Sequence, residues 1–291
     1  MVNKWLIINT LRNANVVTRT LRDLYIDTDT INAGNLSVTA RCHLGCDMDD
    51  LLIKCYILGD NMRERIYGSM YYKQELAVFS PSGRVEFVDV ALSRWVDGVA
   101  LSEYICEPSS NFKELSRSFD HMAYSLLSDR VVHCDIKPEN IVVNSYGQMT
   151  LIDYDALWCK SWGMDYRREL GTLGYRDLKS GQYSPLEDVQ NYPIVLISIM
   201  LASLALEYNT IYPHIKSGAI LNPESPKHFL AAIGCAKDIF MRSGDRTHLA
   251  LCDIITPSGV NGSNLVDLMY NVVYSRSEDG WQAELGPFYD V

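Results

Sequence analysis

Three chemically distinct side chains recur at fixed intervals in Val131-Val-His-Cys-Asp-Ile-Lys-Pro-Glu-Asn-Ile-Val-Val143: the carboxylate of Asp135, the ammonium of Lys137 and the amide of Asn140. A second carboxylate, Asp153 in Leu-Ile-Asp-Tyr-Asp155, follows thirteen residues after Asn140. A carboxylate able to accept a hydroxyl proton, an ammonium, an amide and a metal-ready carboxylate are the parts needed to move a phosphoryl group from a nucleotide to an alcohol. A lone Asp or Asn in a loop is ordinarily a turn former. Four such groups in register point instead to chemistry.

Residues 133–140 resemble the catalytic loop of the eukaryotic-type protein kinase superfamily, His-Arg-Asp-x-Lys-x-x-Asn, with Cys134 in place of the usual Arg. Asp153-Tyr154-Asp155 is similar to that family's Asp-Phe-Gly metal motif, with a carboxylate where the glycine stands. The resemblance implies an α+β, bilobal protein-kinase-like fold. It would have a small β-rich lobe over residues 31–96, a larger mainly helical lobe over 97–291, and residues 1–30 as an extension packed on the small lobe. It also implies ATP and Mg²⁺, with Asp135 accepting the proton of the attacking hydroxyl, Lys137 offsetting charge on the transferring group, and Asn140 and Asp153 holding the metal. Replacing the Arg by Cys134 removes the guanidinium that reads a phosphorylated activation segment, so activation by that route is not expected. Thr172, in Gly171-Thr-Leu-Gly-Tyr-Arg176, is expected to bridge Asp135 and Lys137 as the equivalent Thr does in the Ser/Thr-directed enzymes. His133 is expected to pack beneath the loop, bonded to backbone.

The elements that must position these groups are legible in outline. Leu51-Leu-Ile-Lys-Cys-Tyr56 reads as a strand carrying Lys54, the residue the resemblance assigns to the nucleotide's α- and β-phosphates. Twenty residues upstream, Gly34 is what survives of a Gly-x-Gly-x-x-Gly loop whose outer positions are Asn32 and Ser37. Without a Cβ, backbone amides can approach phosphate oxygens closely. A short helix is expected from Asp60 or Asn61, with Met62, Ile66 and Met70 forming an apolar stripe. Its Glu64 and the later Glu75 compete as the carboxylate that pairs with Lys54. Glu64 is preferred, because Leu76–Phe79, the Ser80–Gly83 turn and the run from Val85 read as strand, turn and strand. The segment Leu92–Gly98 resembles the family's hinge, where backbone groups around Arg94 to Val96 would meet adenine.

Downstream, Asn111 with Glu114 suggests a capped helix start, and Phe112, Leu115, Phe119, Met122 and Leu126 recur at helical spacing. Ile141–Val143 and Met149–Ile152 flank the turn Asn144–Gly147, which predicts a hairpin joining the loop to Asp153. Asp188 matches the acid that opens the family's central helix and braces the catalytic loop. Arg246 matches the Arg that pairs with the family's Ala-Pro-Glu carboxylate; here Asp177-Leu178-Lys179 stands in that place, so the pairing is expected to be either absent or rerouted to Glu187.

Composition limits the alternatives. The 291 residues are 47% apolar, enough for a large core, and the net charge of −10 argues against a nucleic-acid partner. None of the eight cysteines lies in a Cys-x-x-Cys pair, which favours a reducing, cytoplasmic setting. Cys42, His43 and Cys46 form the one local cluster and read as ordinary strand and turn residues. The run Pro193–Leu206 falls short of the roughly twenty residues that span a bilayer and reads as a buried helix, so no membrane association is expected. The expected activity is ATP-dependent phosphoryl transfer to a Ser/Thr hydroxyl of a protein substrate. A nucleotide-binding pseudokinase module, and a small-molecule kinase of the aminoglycoside or choline kinase type, stand as the alternatives.

Overall fold

The computed structural model describes residues 2–13, 16–34, 36–45, 49–109, 111–162, 171–177, 186–216, 225–261 and 264–274. The chain is mixed α+β, β-rich in its N-terminal part and largely helical in its C-terminal part, and it divides into two units between Val96 and Asp97.

In the first unit, helix α1 (Lys4–Leu11) precedes strands β1 (Leu24–Ala33), β2 (Ser37–Leu44) and β3 (Leu51–Tyr56), helix α2 (Asn61–Tyr67), and strands β4 (Tyr71–Phe79) and β5 (Val85–Arg94). The strands form one antiparallel sheet in the order β1-β2-β3-β5-β4. Successive side chains of a strand point to opposite faces, and β3 shows the consequence. Ile53 and Cys55 enter an apolar core with Val38, Ala40, Val90 and Leu92 of the sheet and Ile7 and Leu11 of α1. Tyr56 instead packs with Tyr71 and Ala91, and Lys54 shares its side of the strand. All four β3 residues are buried, so both faces of the strand are covered.

The expected extension over residues 1–30 is corrected. Strand β1 starts at Leu24, so that boundary cuts through a strand of the sheet. The residues before it form α1 and a stretch pinned along β4, with Ala77 N–H donating to Val17 O at 2.9 Å and Arg19 N–H to Glu75 O at 3.1 Å. This stretch occupies part of what would otherwise be a bare sheet edge. Helix α2 starts where its cap predicts, Asp60 accepting the Met62 N–H at 2.9 Å, but ends at Tyr67. Of the expected stripe only Ile66 is buried, and Met70 lies beyond the helix in a 3₁₀ turn.

In the second unit, β6 (Val99–Ala100) and α3 (Leu101–Tyr104) lead to α4 (Phe112–Ser128), β7 (Val131–Val132), β8 (Ile141–Val143), β9 (Met149–Leu151) and β10 (Trp158–Cys159). There follow α5 (Asn191–Lys216), α6 (Pro226–Ser243), α7 (Arg246–Ile254), the hairpin β11 (Ile255–Thr256) and β12 (Gly259–Val260), and α8 (Leu265–Tyr274). Helix α4 buries Phe112, Leu115, Phe119 and Leu126 as its periodicity requires. Its start differs from expectation: Asn111 makes no capping bond and its Nδ2 donates to Tyr104 Oη at 3.4 Å. Glu114 pairs with Arg117 instead.

Over its first half helix α5 is apolar around its whole circumference, a pattern found in buried core helices and in membrane spans. Tyr192, Ile194 to Ile197 and Ile199 to Leu201 are all fully buried, each contributing about 1.5–3 kcal/mol of burial for a large aliphatic side chain. By length and composition alone, Asp188–Ile215 could cross a membrane, but 67% of its most apolar window is buried inside the protein. The backbone leaves helical geometry at Glu207, where the apolar run ends, and Arg242 of α6 holds that carboxylate with bonds of 2.8 to 3.2 Å.

Candidate active site

The loop 133–140 runs from β7 to β8, and the β8–β9 hairpin (Ile141↔Leu151, Val143↔Met149) returns the chain to Asp153. The hairpin is tied to the loop on both sides. Ile152 N–H donates to Asn140 O at 2.8 Å, and His133 Nε2 lies 3.0 Å from Ile152 O. Because the partner is a carbonyl, Nε2 carries the proton. Burial, which outweighs the opposing pull of Asp153 and Asp135, holds His133 below the ordinary imidazole pKa. His133 is therefore a neutral, fully buried spacer, with the Tyr154 ring edge-on to it at 5.4 Å. Through its bond to Ile152, the residue before Asp153, His133 ties the start of the loop that carries Asp135 to the end of the hairpin that carries Asp153.

Asp135 is the hub. Lys137 Nζ donates to its Oδ2 at 2.6 Å and to Thr172 Oγ1 at 2.9 Å. Thr172 donates to Oδ1 through both its N–H, at 3.0 Å, and its hydroxyl, at 2.7 Å. Asn140 Nδ2 donates to Asp135 Oδ2 at 3.0 Å and to the Asp135 carbonyl at 2.8 Å. Burial pushes the Asp135 carboxyl up, but the bonds from Lys137, Thr172 and Asn140 together outweigh it and hold the group below the usual carboxylate range. The Asp135 and Lys137 side chains retain 12% and 19% exposure, so the carboxylate is not sealed from solvent. The bridge expected of Thr172 is thus present.

Two residues beside these groups are non-glycine residues in left-handed backbone: Cys134 at φ 65° and Asp153 at φ 67°. Such conformations cost about 1–3 kcal/mol and persist where surrounding structure over-determines them. Here the flanking bonds of His133, Asn140 and Ile152 do so.

The donor set fits Mg²⁺. With its nitrogen committed to two Asp135 oxygens, Asn140 keeps its carbonyl oxygen as a hard ligand atom, and Asp153 supplies a carboxylate. Mg²⁺ is ordinarily held by one or two carboxylates plus phosphate oxygens and water, without a dedicated protein cage. Among the described residues no group of three or more His, Cys, Asp or Glu is arranged to hold a metal ion. Cys46 lies outside the described residues; His43 Nδ1 sits 3.2 Å from Asp50 Oδ1.

The brace of the loop is a correction. Asp188, expected in that role, is exposed and accepts a bond from Asn191 at 3.2 Å. Gln190, only 2% exposed, accepts the His133 N–H at 3.2 Å and donates to Val131 O at 2.9 Å. An amide can serve a donor and an acceptor at once, which a carboxylate cannot. Its sequence signal was slight: a single amide two residues before Tyr192 at the head of the apolar run. Arg246 is exposed and makes no ion pair among the described residues. Leu178, Lys179 and the Glu187 side chain lie outside the described residues.

In the first unit, Lys54 is 8% exposed and points to the Tyr56 side of β3, its Nζ 5.9 Å from the Tyr56 ring. The expected partnership with Glu64 is not formed. Glu64 is exposed and bonds Lys73 at 2.6 Å. The alternative, Glu75, is buried on β4 and accepts Thr20 N–H, Leu21 N–H and Thr20 Oγ1 at 2.6, 2.7 and 2.8 Å. The charged residue that α2 buries is Arg63, whose guanidinium lies 3.7 Å from the Tyr56 ring and donates to Leu58 O at 2.6 Å. Gly34 lies in the β1–β2 connection, but its backbone is not left-handed and a Cβ there would meet Ser37 only at ordinary distances of 3.5 and 3.6 Å. Glycine is not sterically required at that position. Arg94 ends β5, exposed and paired in register with Leu51, and Val96 directly precedes the division between the two units.

No family model matches this chain, and no curated protein matches it.

Proposed function

We propose that this chain is a phosphotransferase with a bilobal, protein-kinase-like arrangement, moving the γ-phosphoryl group of ATP to a Ser/Thr hydroxyl of a protein. The observation that carries the reading is the convergence of Lys137, Thr172 and Asn140 on the carboxylate of Asp135. A base kept ionised by three donors, and not sealed from solvent, suits a group that orients a hydroxyl and takes its proton as the bond to phosphorus forms. Lys137, already within reach of Asp135 and Thr172, is the cation available to offset charge on the transferring group. Mg²⁺, held by the Asn140 carbonyl oxygen and Asp153, would neutralise phosphate charge. Lys54, a buried cation on a strand, would serve the α- and β-phosphates.

A second reading, a nucleotide-binding module without turnover, is favoured by Glu64 being engaged with Lys73. The discriminating experiment measures Mg-ATP-dependent thermal stabilisation beside phosphate transfer to generic protein substrates and to the chain itself. For the native chain both are expected. Asp135→Asn should keep the stabilisation and lose transfer, whereas Asp153→Ala should lose both. Stabilisation without any transfer by the native chain would select the second reading, and transfer to metabolites alone would select a small-molecule kinase. Equal loss of nucleotide binding in the two variants would overturn the assigned roles.

A further inference from the structure

The segment Gly171–Asp177 carries Thr172 near one end and Asp177 at the other. Thr172 bonds Asp135 through both its N–H and its hydroxyl, so the seating of this segment decides whether the Asp135 cluster forms. Between the ends the chain turns tightly, Tyr175 N–H donating to Thr172 O at 3.0 Å with the Tyr175 ring buried. Arg246 makes no ion pair among the described residues, and the segment is held elsewhere.

Its far end meets the β11–β12 hairpin. Val260 N–H donates to Asp177 Oδ2 at 3.4 Å, and the Asp177 carboxylate lies directly against Gly259. A Cβ on Gly259 would overlap both carboxylate oxygens and the Cγ of Asp177, and the φ of +149° at Gly259 is one that side-chain-bearing residues rarely adopt. An aspartate carries its carboxylate one carbon from the backbone, so it cannot yield to such a Cβ without moving the chain at 177. The hairpin is itself fixed. Asn261 N–H donates to Ile254 O at 2.7 Å, Thr256 Oγ1 donates to Gly259 O at 2.8 Å, and Ile255 is buried in the main core. The buried Tyr192 hydroxyl has no hydrogen-bond partner among the described residues; burial first, and the Asp177 carboxylate second, hold this phenol above its ordinary range.

We infer that the seating of Asp177 on Gly259 anchors the 171–177 segment, which makes both of them positioning residues for the Asp135–Lys137–Thr172 cluster. The catalytic consequence rests on the phosphotransfer reading, while the anchoring does not.

The test uses the full chain with Asp177→Ala, Gly259→Ala and Asp177→Asn. Hydrogen–deuterium exchange is followed across residues 171–177, beside global unfolding and the kcat and KM of Mg-ATP-dependent transfer. Asp177→Ala and Gly259→Ala should speed exchange at the Thr172 amide by about tenfold or more, as a local opening does. Global unfolding should shift little, and kcat should fall while the KM for ATP holds. Asp177→Asn keeps an oxygen for the Val260 N–H and should retain the protection. Thr172 exchange within about twofold of the native chain in Asp177→Ala would overturn the anchor, as would acceleration spread evenly over the whole helical unit. A native chain that transfers no phosphate would sink the proposed activity and leave the exchange result to decide the anchor.

Discussion

Gln190→Leu removes two hydrogen bonds while keeping the side-chain volume close to native. Gln190 is 2% exposed, and its amide accepts the His133 N–H and donates to the Val131 carbonyl. Leucine would leave both backbone groups in place with no partner. A buried donor or acceptor stranded in this way costs about 1–3 kcal/mol, so the pair costs about 2–6 kcal/mol. At about 2–4 °C per kcal/mol for a unit of this size, the unfolding midpoint should drop by about 4–24 °C. Circular dichroism during thermal and urea unfolding reads the loss. Asp188→Ala, which removes the exposed acid two residues earlier, should change stability by about 1 kcal/mol or less. A Gln190→Leu effect within about 0.5 kcal/mol of zero, the range of ordinary surface substitutions, would refute the reasoning. So would an Asp188→Ala effect of equal size. Gln190→Glu isolates the donor half, since a carboxylate can accept the His133 N–H but sets lone pairs against the Val131 carbonyl. Its destabilisation should therefore ease on acidification, as the new carboxyl gains a proton it can donate.

Three further outcomes follow from the geometry. Glu75→Ala strands the Thr20 and Leu21 N–H groups and should cost about 2–4 kcal/mol, with faster proteolysis near residues 16–22 as the stretch along β4 loosens. Glu64→Ala breaks an exposed pair with Lys73, so stability should change by about 0.5 kcal/mol or less and Mg-ATP-dependent stabilisation should be unchanged; a large loss of stabilisation would return Glu64 to the nucleotide site. The folded-state pKa of Asp135 is lowered, so its stabilising bonds are fully present above the unfolded-state value of about 4 and are lost as pH falls through the lowered folded value. Urea unfolding of the native chain and of Asp135→Asn should accordingly differ most above about pH 4 and converge below it; a gap that widens on acidification would reverse the sign of the argument.

Local features of the fold were well marked in the sequence. The β-rich run of β3, the α4 periodicity and the β8–β9 hairpin each belong to one element, and each formed within a residue or two of its signal, whereas α5 continues to Lys216, well past the apolar run that ends at Leu206. The relation among Asp135, Lys137, Asn140 and Thr172 was also legible, because loop spacing constrains the first three and the motif around Gly171 marks the fourth. Misreadings arose wherever two similar groups lay close together in the chain. Asp188 drew attention over Gln190, and Glu64 over both Glu75 and Arg63. In each case the side chain that is buried differs from the one that motif spacing selected.

The amino-acid order alone determined which chemical groups this protein carries, how far apart they lie along the chain, and which stretches become strands or helices, because those depend on short-range sterics and hydrophobic period. Packing alone decided which group is turned inward. A step of one residue along a helix rotates a side chain by about 100°, so neighbours such as Arg63 and Glu64 exchange burial for exposure once the helix settles against its sheet. Desolvation and hydrogen bonding then depend on that facing, and only the folded chain sets it.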